Sequence, residues 1–168
     1  MDRYWCLLEA SLRRERPDVL ADLNPAATKA ELERLQARLG AALPADFIAC
    51  LGIHDGQKGE AGWLFEEWEF LSARRIAEEW SIWRQLHDAG DFDGNRAEGD
   101  PGVKALWWSR RWIPFASNGF GDHLCLDLDP DQGGEAGQII TVWHDSDRRE
   151  KAAESFREWF AAFVASQG

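Results

Sequence analysis

Six side chains in the second half of the chain could in principle build a metal-assisted hydrolase: Asp122, His123, Asp127, Asp129, His144 and Asp145. Imidazole nitrogens and carboxylate oxygens suit zinc or manganese, and a bound metal can turn water into a nucleophile. The spacing does not follow that chemistry. It matches neither two histidines flanking a Glu on one helix turn nor a calcium-binding loop. On a strand Asp127 and Asp129 share one face, and His123 joins them only if no bulge intervenes. Gly119-Phe120-Gly121-Asp122 has the glycines of a phosphate-cradling loop. A strand follows it, however, where such a loop needs a helix, so the stretch reads as a hairpin turn. Ser117 and Ser155 lack the nucleophile-elbow setting, and Ser155 is placed to cap a helix. Cys6, Cys50 and Cys125 each have apolar neighbours, which predicts buried, unreactive thiols and no disulfide framework. The expectation is no metal, no cofactor and no catalytic residue.

What the chain has in excess is tryptophan and negative charge. Ten tryptophans stand among 168 residues, and the formal net charge is −11. Each buried indole needs a partner for its N–H, so a core of this size cannot hide all ten. Between Trp63 and Leu71 the excess is concentrated: Trp63, Phe65, Trp68 and Phe70 interleave with Glu66, Glu67 and Glu69. Two readings stand. The stretch is a contact surface whose rings anchor a basic partner, or Phe65 and Phe70 are core and the glutamates a solvated face. Asp91, Asp93, Glu98 and Asp100 add charge on a later loop. The expected partner-binding residues are Trp63, Glu66, Glu67, Trp68, Asp91 and Asp93. Direct nucleic-acid binding is disfavoured, because it needs Lys and Arg to displace phosphate counterions. Acidity has a second reading, that it keeps the chain soluble and monomeric. Met1-Asp2-Arg3-Tyr4-Trp5 does not open a signal peptide, and no apolar run reaches bilayer length, so the expected location is the cytoplasm.

The elements that would position these residues make one α+β domain over residues 1–168. Trp5, Leu8 and Leu12 recur at helical spacing before Pro17. Thr28 and Glu31 form a capping box for a helix that buries Leu32, Leu35 and Leu39 and stops at Gly40. Pro44 suits the first position of the next, which carries Phe47, Ile48 and Leu51 inward. Ser72 caps a helix with Ile76, Trp80, Trp83 and Leu86 on one side. Asp88 to Lys104 is a long loop. Trp112–Ala116, His123–Leu128 and Gln138–Trp143 are strands of a mostly antiparallel meander, with Pro114 demanding an edge or a bulge. Ser155 caps a closing amphipathic helix with Phe156, Trp159, Phe160, Phe163 and Val164 packed on the sheet.

Three stretches together carry a family resemblance. Leu43-Pro44-Ala45-Asp46-Phe47, continued by Ile53-His54-Asp55-Gly56-Gln57, is one. Trp112 to Ala116, Gly119 to Asp122 and Leu124 to Pro130 form the second. Gly137 to Ile140, His144-Asp145 and Ser155-Phe156 form the third. Together they resemble the SUKH superfamily, which includes fungal regulators of cell-wall synthesis, killer-toxin-resistance proteins and many bacterial immunity proteins. Asn118 stands where many relatives have Asp. The resemblance implies a non-enzymatic domain that binds a protein, first of all an immunity protein occluding a basic toxin domain such as a nuclease. The alternative is a regulatory or scaffold domain in cell-wall synthesis, and a metal-dependent hydrolase is the weakest reading.

Overall fold

Capping chemistry written in the sequence sets most helix limits in the computed structural model, which describes residues 1–167. Helix α1 (Asp2–Glu15) buries Trp5, Leu8 and Leu12 and ends one residue before Arg16, which Pro17 forces out of helical geometry. Pro17 then opens a further short helix, α2 (Pro17–Asp22), absent from the sequence reading. Proline has no N–H to lose at that position and its φ is already helical. Helix α3 (Lys29–Leu39) has the full capping box of Thr28 and Glu31 and ends on left-handed Gly40. In α4 (Ala45–Leu51) Pro44 is the N-cap, one position earlier than expected. Ser72 caps α5 (Ala73–Ala89), and Ser155 caps α6 (Phe156–Ser166).

The strands are β1 (Glu69–Phe70), β2 (Glu98–Gly99), β3 (Trp112–Ser117), β4 (His123–Asp127), β5 (Gln138–Val142) and β6 (Arg148–Ala153). They form one six-stranded sheet ordered β1-β3-β4-β5-β6-β2. All neighbours are antiparallel except β2, which runs parallel to β6. The long loop therefore holds a short strand, and β6 was not foreseen. Its sequence, Arg-Arg-Glu-Lys-Ala-Ala, favours helix and shows no β-branched residue.

Every residue of β3, β4 and β5 is buried, so both faces of the central sheet are covered. His123 faces α5, where its Nδ1 accepts from Trp83 Nε1 at 3.2 Å. The register shifts between Pro114 and Ala116, the bulge that Pro114 required. Phe115 sits in that bulge and meets α6 edge-on, 5.4 Å from Phe156 and 5.0 Å from Trp159. Five of the ten tryptophans, Trp5, Trp80, Trp83, Trp108 and Trp112, are buried, and the other five are half-buried.

Three details depart from expectation. Cys6 is exposed while Cys50 and Cys125 are buried, because Cys6 lies off the Trp5–Leu8–Leu12 stripe. Leu86 is 39% exposed near the end of α5. On α6, Phe156 and Phe160 are wholly buried, whereas Trp159 and Phe163 only lean against the core. Burial of the two thiols pushes both pKa values up, that of Cys50 to about 12. No helix among the described residues is long and apolar enough to cross a membrane.

Truncating a buried Phe to Ala costs about 3–5 kcal/mol, a large share of a domain's roughly 5–15. Phe160→Ala is expected to lower the urea midpoint far more than Trp159→Ala. Equal losses would place Trp159 in the core after all.

Candidate functional site

The aromatic–acidic stretch has almost no regular secondary structure, so its backbone polar groups need partners from elsewhere. They find them in His54-Asp55-Gly56-Gln57. Gln57 is 3% exposed, and its amide makes all four bonds it can. Its Oε1 accepts from the backbone N–H of Leu64 (2.8 Å) and Phe70 (3.1 Å). Its Nε2 donates to Asp22 Oδ2 and to the Gly62 carbonyl, both at 3.0 Å. Asp22 takes two further donors, Gly59 N and Glu60 N. Burial raises the Asp22 pKa, but these bonds outweigh it and the net shift is downward. Gly56 has φ +67°, and a Cβ there would sit 2.3 Å from Ser72 N. Asp55 accepts from Ala73 N at the start of α5, and His54 bridges Asn24 O and Glu9.

So held, the stretch divides its side chains. Leu64, Phe65 and Phe70 go into the core. Phe65 and Trp68 exchange backbone hydrogen bonds, each 3.1 Å, which leaves Glu66-Glu67 as the exposed tip of a tight turn. Glu66 adopts φ +60°, a left-handed conformation uncommon for a residue with a Cβ. Glu69 turns inward instead, toward Arg75. Burial raises its pKa while Arg75 opposes the rise. Phe65 and Phe70 are thus core, as the second reading of the stretch expected, while Trp63, Glu66, Glu67 and Trp68 reach the surface.

Two strand connections bring further rings to this end of the sheet. The Trp68 ring lies 5.9 Å from that of Trp143, just past β5. Trp63 packs beside Gly119, and at the next position Phe120 is 78% exposed. Phe120 stands on a braced turn. Asn118 Oδ1 accepts from Phe120 N (2.9 Å) and Asp122 N (3.2 Å), while its Nδ2 donates to Asp122 Oδ2 (2.7 Å). Asp122 Oδ1 in turn accepts from His144 N and Nδ1, both 2.8 Å, which ties the turn to the end of β5. Asn118 can donate to Asp122 where an aspartate would repel it. Phe120 and Trp143 escaped the sequence reading, although a Phe between two glycines in a turn is a legible sign of an exposed ring.

Of the six residues of the imagined metal centre, Asp122, His144 and Asp145 come together and the other three lie apart. Ligand atoms of Asp122, His144 and Asp145 lie within 4.8 Å of one another. Three donors already occupy Asp122, so the group works as a latch. His123 is 1% exposed, between Trp83 and Glu79. Asp127 is fully buried against Trp112 and Gln138, and Asp129 pairs with Lys104. Asp91 and Asp93 are exposed on the connection from α5 to β2, and Asp93 lines a cavity that none of Trp63, Glu66, Glu67 or Trp68 lines.

The family model for the SMI1 / KNR4 family (SUKH-1) matches residues 26–162. The chain is 31% identical over 153 residues to the cell wall biosynthesis/cell cycle regulator smi1 of Schizosaccharomyces pombe, covering 83% of this chain and 30% of that protein. It is 25% identical to KNR4/SMI1 homolog 2 of Debaryomyces hansenii, over 98% of this chain and 35% of the relative. With the cell wall assembly regulator SMI1 of Saccharomyces cerevisiae it shares 22%, over 95% of this chain and 39% of that one. The chain thus spans about a third of the length of these relatives.

Gln57→Ala strips partners from two buried N–H groups and Asp22, at about 1–3 kcal/mol for each unsatisfied group. Hydrogen exchange should quicken across residues 58–70 and stay slow in β4. Uniform acceleration would show that Gln57 supports the whole fold and not this segment. Asp122 has a lowered pKa: burial raises it, but the bonds from His144 and Asn118 prevail. A depressed carboxylate stabilises fully above its unfolded pKa, near the usual 3.8, and loses that contribution as pH falls through the lower folded value. The stability gap between wild type and Asp122→Asn is therefore expected to be widest above pH 3.8 and to close on acidification. A gap that ignores pH would remove the charge from the latch.

Proposed function

The chain belongs to the SMI1/KNR4 family (SUKH-1), and from that membership we propose that it is a non-catalytic, protein-binding regulatory domain serving cell-wall synthesis. Its contact face is the end of the sheet that presents Trp63, Trp68, Phe120 and Trp143. The observation that carries this reading is Phe120, 78% exposed on a turn that Asn118, Asp122 and His144 hold rigid. A large ring held out in water by a hydrogen-bonded scaffold forgoes burial in the free protein and gains it on association. Half-buried tryptophans beside it are the residue type that most often dominates interface energetics.

The rim supports a basic partner. Glu66, Glu67, Asp145 and Asp147 are all exposed around the rings, within a chain of net charge −11. Such a face steers a basic surface toward it and disfavours an acidic one. The relatives' names speak of cell-wall biosynthesis and assembly, which favours endogenous regulation over the toxin neutralisation first expected.

A photo-crosslinking phenylalanine analogue at position 120, with a control at exposed Lys29 on α3, would capture the partner in the source cells. Against that purified partner Trp68→Ala is expected to raise the off-rate about 30-fold, the equivalent of ~2 kcal/mol at a hot spot. Glu66→Gln with Glu67→Gln should slow association and flatten its salt dependence. Wild-type rates in all these variants would remove the face from the interface. Capture of a toxin domain at position 120 would move the reading to immunity.

A further inference from the structure

The two most exposed large apolar side chains among the described residues are Phe120, at 78%, and Leu7, at 54%. Phe120 is the knob of the aromatic face. Leu7 lies elsewhere, in a groove of about 570 Å³ between α1 and α6. The groove follows from the pattern of α1, which turns Trp5, Leu8 and Leu12 to the core and leaves Leu7 and Ala10 on an outer flank. Tyr4 meets Phe160 edge-on at 6.4 Å, and Ser11 Oγ donates to the Gln167 carbonyl at 2.7 Å. The two helices therefore run parallel and are tied together at their C-terminal ends. Ala161 and Ala165, on the α6 side, are too short to fill the space between them.

Groove and aromatic face carry opposite charge. Arg3 and Arg14 line the groove, and among the described residues no carboxylate does. Arg14 pairs with Glu15 in an exposed bridge, a kind worth little and readily exchanged. At roughly 100° per residue, Asp2, Glu9 and Arg13 point to the other flank of α1, away from Leu7, and Glu9 is engaged by His54. On α6, Glu158 stands one turn before Ala161, and Arg157 beside it offsets its charge. The aromatic face has the reverse sign, with Glu66, Glu67, Asp145 and Asp147 exposed around its rings. Cations near that face are already engaged, Arg16 by the Trp63 and Leu64 carbonyls and Arg148 by Glu98.

We propose that the α1–α6 groove receives the Phe120 knob of a second copy of this chain, with Arg3 and Arg14 meeting the acidic rim around it. This rests on the reading of the Trp63–Trp143 end as a contact face, and it names one occupant of that face. Knob and groove are different patches, so the contact is heterologous: one copy gives its face and the other its groove. Opposite charges steer the encounter, and removal of Leu7 and Phe120 from water holds it. A copy docked in this way covers the face, so self-association competes with any other partner there.

Sedimentation velocity from micromolar to millimolar protein is expected to show concentration-dependent self-association that salt weakens. Leu7→Asp spoils the groove and keeps the knob, and Phe120→Ser does the reverse, both at exposed positions. Each alone should weaken self-association at least about tenfold. Mixed together, the two variants are expected to form a one-to-one dimer, because one intact knob then meets one intact groove. Arg3→Glu with Arg14→Glu should reproduce the Leu7→Asp defect. A monomer at every concentration, self-association that survives both single changes, or a mixture that stays monomeric would each overturn the proposal. The contact face stands or falls separately: if the chain stays monomeric while a crosslinker at position 120 captures another protein, the face is kept and the second copy is removed from it.

Discussion

A single buried amide organises the part of this protein that faces outward. Between α4 and β1 the chain runs without regular secondary structure, and unpaired backbone groups there would cost more than the segment could recover by burying Leu64 and Phe65. Gln57 removes that cost. By accepting from Leu64 and Phe70 and donating to Gly62 and Asp22, one side chain fixes both ends and the middle of the loop. Everything displayed on that loop, from the Trp63 ring to the strained Glu66 tip, inherits its position from this network.

The same logic of paired polar groups runs through the covered sheet. Asp127 is wholly buried, and its pKa is raised chiefly by loss of solvent, yet Trp112 Nε1, Gln138 Nε2 and Asp129 N all donate to it. Arg149 is buried without a carboxylate and is satisfied by backbone carbonyls and the Trp107 ring; desolvation lowers its pKa to about 10. Asp127, one of the six side chains considered for metal chemistry, and Arg149 thus fasten strands to their neighbours and connections. Such networks define a unique register, because slipping a strand by one residue would strand every one of these polar atoms.

Rigid turns and an acidic tip shape the surface at the hairpin end of the sheet. At the hairpin end of the sheet the rings are large and the charges lie around them, which suits a broad protein contact. Bonds to buried or half-buried residues hold that surface, so any association there would meet little ordering cost.

Local signals in the sequence determined the elements whose cause is local. The Thr28–Glu31 box, the Ser72 and Ser155 caps, Gly40 and the Pro114 bulge were all legible, because each acts within a few residues. So was the α+β class, from helices followed by a meander and a closing amphipathic helix. The family resemblance, too, rested on motifs visible in the chain. Strand β6 was not legible, since its charged, helix-favouring residues become a strand only because β5 and β2 offer hydrogen bonds on either side. Nor was the split of Trp63 to Phe70 into inward and outward residues, which depends on Gln57 reaching across the loop. Phe120 and Trp143 join Trp63 and Trp68 through strand pairing between segments distant in sequence. Composition announced that rings and acids would be exposed; which ones share a face is a property of the register, and that only the packed sheet decides.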